Sequence, residues 1–165
     1  MISAKELITI NQKTNSSVDA SNVITVIGNI HQINLVYEEN LNGDFTGLGD
    51  EEIIITDTTI AANIINTINE YTEGKINIYF PLTITGNAAD INTLFESNAA
   101  GTISGLGNEE VTITDTTIDA ALLITLDNYT TGIIDASSII NLIGQDSDKA
   151  LSLIHISEPT RRKHI

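Results

Sequence analysis

The residues best equipped for chemistry are two acidic clusters, Asp50-Glu51-Glu52 and Asn108-Glu109-Glu110, each placed directly ahead of an apolar run. Carboxylate oxygens are the natural ligands of a hard divalent cation, so Asp50, Glu51, Glu52, Glu109 and Glu110 are the candidate calcium ligands. Neither an EF-hand loop nor the G-G-x-G-x-D nonapeptide of calcium-binding β-rolls occurs, and a solvated acidic loop is the simpler reading. Asp57 and Asp115 stand just after the same apolar runs, where a turn or capping role is expected ahead of a ligand role.

Catalysis finds little material. The histidines are His31, His155 and His164, and cysteine is absent, so neither a nucleophile–histidine–carboxylate arrangement nor a thiolate or paired-histidine metal site can be assembled. Glu38 and Glu39 are adjacent carboxylates at a loop edge, without an apolar pocket to separate their pKa values. No enzyme activity and no cofactor other than calcium is expected. With 22 acidic and 7 basic residues the net charge is −15, which disfavours nucleic acid. No apolar run reaches the roughly 18 residues of a membrane span.

What must position these residues is a repeat. Shifted by 58 positions the chain lies on itself without a gap: Gly47-Leu48-Gly49 falls on Gly105-Leu106-Gly107, and Thr56-Asp57-Thr58-Thr59-Ile60 on Thr114-Asp115-Thr116-Thr117-Ile118. Apolar segments opening at Ile24, Ile53, Leu82, Val111 and Ile140 divide each unit evenly in half, so a unit is two 29-residue turns. Constant spacing suits a solenoid, in which every turn stacks on the last.

Alternating apolar and small polar residues, as in Leu82-Thr83-Ile84-Thr85 and Val111-Thr112-Ile113-Thr114, predict a strand in each turn. A helix is predicted behind each strand. Thr59 or Thr117 would cap it in one kind of turn and Asn29 or Asn87 in the other, with Ile33, Val36, Tyr37 and Ile91, Leu94, Phe95 facing inward. Pro81 lacks an amide donor, so its strand should begin after it. Strand and helix in alternation give parallel pairing. The expected fold is therefore an α/β solenoid of about five 29-residue strand–helix turns, with Ile55, Ile84 and Ile113 in one inner column and Thr56, Thr85 and Thr114 in one outer column. An all-β solenoid, with the helical segments as loops, is the alternative.

The segments Ile24-x-Val26-x-x-Asn29 and Leu82-x-Ile84-x-x-Asn87 are similar to the second half of a leucine-rich repeat, without its leading leucine. Gly105-Leu106-Gly107-Asn108-Glu109-Glu110-Val111-Thr112-Ile113-Thr114-Asp115 and Thr85-Gly86-Asn87-Ala88-Ala89-Asp90-Ile91-Asn92-Thr93 resemble repeats of very long marine cyanobacterial proteins. That resemblance implies a secreted or cell-surface location and a structural or adhesive role, with a protein or glycan surface and neighbouring repeats as partners. The paired threonines Thr83, Thr85 and Thr112, Thr114 resemble the T-x-T arrays of ice-binding solenoids, a further alternative.

In the 58-residue register the solenoid is expected over 1–150, in units 1–46, 47–104 and 105–150. Met1 stands over Thr59 and Thr117, so the chain is expected to open inside a repeat and to be a fragment of a longer protein. Residues 151–161 resemble the translation of an adapter used in sequencing libraries, and 151–165 are expected to be a non-native, disordered tail.

Overall fold

A computed structural model describes residues 1–157. Strands and helices alternate along the chain: β1 Ile2–Ser3, α1 Ala4–Asn11, β2 Val18–Asp19, β3 Thr25–Gly28, α2 Ile30–Leu41, β4 Phe45–Thr46, β5 Glu52–Ile55, β6 Thr59–Ala61 and α3 Ala62–Tyr71. There follow β7 Ile76–Ile78, β8 Thr83–Gly86, α4 Ala88–Ala100, β9 Ile103–Ser104, β10 Glu110–Ile113, β11 Thr117–Asp119, α5 Ala120–Tyr129, β12 Ile134–Asp135, β13 Asn141–Ile143 and α6 Asp146–Ser157. The protein is thus α/β and repeat-like. Helices stand where an all-β fold would need loops, in keeping with the helix-forming run Ala120-Ala121-Leu122-Leu123. The tail expected to be disordered is helical as far as Ser157; the rest of that expectation falls on 158–165, outside the described residues.

Among the described residues all strand pairs are parallel, in a five-stranded sheet β1-β3-β5-β7-β9, a four-stranded sheet β12-β10-β8-β6 and the pairs β11-β13 and β2-β4. Ile2 lies opposite Val26, Val26 opposite Ile53, Ile53 opposite Ile76 and Ile76 opposite Ile103. Ile60, Ile84, Val111 and Ile134 form the same sequence of partners one unit later, and Ile118 opposite Leu142 begins a third. The pairing ladder therefore restarts once per unit.

This corrects the expected columns. Strand positions one turn apart in sequence do not meet, because every pairing falls short of a full turn: Ile53 pairs with Ile76 and not with Leu82, and Ile60 pairs with Ile84 and not with Ala89. Ile55 faces Gly28 and Ile78, and Ile84 faces Ile60 and Val111. Thr85 faces Ala61 and Thr112. Thr56 and Thr114 lie beyond the strands, their amides donating to the carbonyls of Gly28 and Gly86 at 3.1 and 2.9 Å. No Thr56–Thr85–Thr114 column forms.

Each helix packs against the next in sequence, from α1 to α6. Between helices and sheets runs one continuous core that includes Leu7, Val26, Ile33, Tyr37, Ile53, Ile65, Ile84, Phe95, Ile103, Val111 and Leu126. Phe95 stacks on Tyr129 with ring centroids 5.4 Å apart, a geometry worth about 1 kcal/mol beyond the area it buries.

Candidate functional site

The two acidic loops are built alike, and glycine shapes both. Gly47, Gly49, Gly105 and Gly107 all have positive φ, at 79°, 143°, 101° and 141°, a region that residues with a Cβ rarely enter. The chain thereby turns sharply enough to fold the middle residue of each cluster, Glu51 or Glu109, back over the loop. Glu51 and Glu109 are only 2% and 1% exposed. Both oxygens of Glu51 accept the Gly49 amide, at 3.0 and 2.9 Å, and both oxygens of Glu109 accept the Gly107 amide, at 2.8 and 2.9 Å.

The following turn clamps each loop from the other side. The Thr72 hydroxyl donates to Gly49 O at 3.0 Å, and the Thr130 hydroxyl to Glu109 O at 2.8 Å. Each threonine oxygen also accepts a nearby amide, from Gly74 or Gly132, at 2.9 Å. A Cβ at Gly74 or Gly132 would stand 1.9 Å from the carbonyl oxygen of Glu51 or Glu109. The site is therefore a clasp between turns, made by threonine hydroxyls on backbone carbonyls, with each carboxylate folded onto its own loop.

The candidate ligands consequently part company. Glu51 and Glu109 point inward, whereas Asp50, Glu52 and Glu110 are exposed. Glu52 accepts from the Asn77 side-chain amide at 2.6 Å, and Asn77 in turn accepts the Ser104 hydroxyl at 2.6 Å. Among the described residues no cluster of three or more histidine, aspartate or glutamate side chains is arranged to hold a metal ion.

One loop has an extra donor. The buried Tyr37 hydroxyl donates to Glu51 Oε2 at 2.8 Å. Burial first, and the Glu51 carboxylate second, raise the Tyr37 pKa far above the ordinary 10.0, because neither tolerates a phenolate there. At the corresponding place in the repeat beside Glu109 stands Phe95, which has no hydroxyl.

Asp57 and Asp115 do cap helices, but those of the preceding turn. Asp57 Oδ2 accepts the Ile30 amide at 2.7 Å, and Asp115 Oδ2 accepts the Ala88 amide at 2.6 Å. Asn29 and Asn87 accept from Gln32 and Asp90 at 2.9 and 2.8 Å, so α2 and α4 each start with two side-chain acceptors on otherwise orphan donors. Thr59 and Thr117 are not caps: they open β6 and β11, and α3 begins at Ala62 without a side-chain cap.

Two further features were hidden in the sequence pattern. Ile24, Leu82 and Ile140 are 76%, 67% and 79% exposed, although their apolar type suggested inward-facing strand positions. Their strands begin one position later, so strand alternation does not reach them. Beside Leu82, Tyr79 and Phe80 are also exposed, and β8 begins at Thr83, after Pro81 as expected. His31 lies exposed near the start of α2, and no helix among the described residues is long and apolar enough to cross a membrane.

No protein-family model matches the chain, and no curated protein or solved structure is similar enough to it to carry an inference.

Proposed function

We propose that the chain is a stretch of an α/β solenoid and serves as a structural or adhesive segment of a larger extracellular or cell-surface protein, without catalytic activity. The observation that carries this reading is the clasp: the same glycine-shaped loop, buried glutamate and threonine latch recur from one unit to the next. The buried carboxylates are thus spent on bracing their own loops and the threonine hydroxyls on joining one turn to the next, and near-identical turns do not bring unlike groups to one place. A location outside the cell rests on the resemblance of the repeats and on nothing else.

Calcium binding is the rival, and it retains Asp50, Glu52 and Glu110 as exposed oxygen donors. Glu51 and Glu109 would have to give up their amide bonds to join them, at the cost of an unpaired, part-buried donor on each loop. The outward threonines support ice binding less, since they alternate with Ala61, Glu110 and Asp135 across the ladder.

Duplicating residues 47–104 in place tests the proposal. A solenoid gains two more turns at strand spacing, so small-angle scattering should show the long dimension growing by about 10 Å with an unchanged cross-section. Growth in all directions would refute it.

A further inference from the structure

We infer that the free edge of β12 is a docking groove for one more strand of this same repeat, a parallel segment of the form apolar-Thr/Ser-Gly-Leu-Gly supplied by another repeat unit. The inference rests on the repeat reading above and names the partner of that surface. Among the described residues β12 is the outermost strand of its sheet, with β10 as its neighbour. Beside it opens a cavity of about 620 Å³, lined by Leu123, Ile134, Ala136, Ile139 and Leu142 among others.

The molecule shows twice what covers such an edge. One unit earlier β7 stands in the place of β12, and β9 lies on it in parallel, Ile76 opposite Ile103 and Asn77 opposite Ser104. There the Ile76 amide donates to Thr102 O at 2.9 Å, and both isoleucines are fully buried. Two units earlier β4 lies on β2, Val18 opposite Phe45 and Asp19 opposite Thr46, with the Val18 amide on Asp44 O and the Ala20 amide on Thr46 O, both at 2.8 Å. The segment Ile134-Asp135-Ala136-Ser137 repeats Val18-Asp19-Ala20-Ser21 almost residue for residue. The internal bond recurs too: Asp19 accepts the Ser21 amide at 3.0 Å, and Asp135 the Ser137 amide at 2.9 Å.

Glycine after the covering strand is what allows the approach. A Cβ on Gly47 would stand 2.6 Å from Ser21 Cα, and one on Gly105 would stand 1.9 Å from Ile78 O. The sequence that follows in this chain departs from the pattern. In the 58-residue register Arg161, Arg162 and Lys163 stand where Phe45-Thr46-Gly47 and Ile103-Ser104-Gly105 do. A guanidinium would replace a buried apolar side chain, and a lysine would replace the glycine.

The test uses the full chain, isotope-labelled, and a synthetic peptide of residues 43–50. Saturable amide shifts at Ile133–Ser137 are expected. A peptide carrying Gly47→Lys should bind at least about tenfold more weakly, and one carrying Phe45→Arg likewise. Absence of shifts, or equal binding of the Gly47→Lys peptide, overturns the inference, as does sedimentation showing that a second whole copy already occupies this edge. Circular dichroism on the same samples separates the two levels: a folded chain that ignores the peptide defeats the groove and leaves the repeat reading standing.

Discussion

The loops Gly47–Glu52 and Gly105–Glu110 differ in the carbonyl their threonine latch reaches, Gly49 O in one and Glu109 O in the other, and in one donor to the glutamate carboxylate. Glu51 receives the Tyr37 hydroxyl as well as the Gly49 amide, whereas Glu109 receives the Gly107 amide and the repeat position of Tyr37 is taken by Phe95. Both glutamates are nevertheless equally buried. The phenol is therefore an addition to the clasp, and the glycine turn and threonine latch are what fold the carboxylate inward.

The sharpest way to break that equivalence is to deny the close approach. Gly74→Ala and Gly132→Ala each force a methyl into a carbonyl oxygen, and each should cost about 3 kcal/mol in chemical denaturation. Next, Glu51→Ala and Glu109→Ala strip a part-buried amide of its charged acceptor, at about 2 kcal/mol apiece. Glu51→Ala should cost more of the two, because the Tyr37 hydroxyl loses its partner as well. Asp57→Ala and Asp115→Ala remove the cap lent to the previous turn and should cost about 1 kcal/mol each. Hydrogen exchange at the first turns of α2 and α4, not α3 or α5, should report that loss.

Smallest at neutral pH is Tyr37→Phe, which makes the first loop resemble the second at a cost of about 1 kcal/mol. Its signature lies in alkali. A pKa raised in the folded state means that the unfolded chain gives up this proton first. Stability from Tyr37 is therefore whole below about pH 10 and falls above it, by up to about 1.4 kcal/mol per pH unit. Tyr37→Phe should flatten that decline; an identical decline would show that other groups cause it.

Much of the architecture was legible because it rests on local signals. All five anticipated strands formed, as did the caps at Asn29 and Asn87 and the inward faces of α2 and α4. The register was not legible. A period in sequence measures chain length per turn, whereas pairing depends on where each short strand meets its neighbour, and segments as brief as Phe45–Thr46 are too short to show alternation. Nor did the sequence distinguish a carboxylate offered to a metal from one folded onto its own loop. Glu51 and Glu52 are adjacent and alike in type, and the glycine turn at Gly47 and Gly49, with Glu52 already in its strand, separates their fates.

The proposal to be tested is that the buried glutamates brace their own loops in place of holding ions. A thermal melt of the full chain in calcium and in chelator addresses it directly. Superimposable transitions are predicted, since a ligand that does not bind the folded state cannot stabilise it. A midpoint that climbs with calcium and loses that response in Glu51→Gln and Glu109→Gln variants would contradict it.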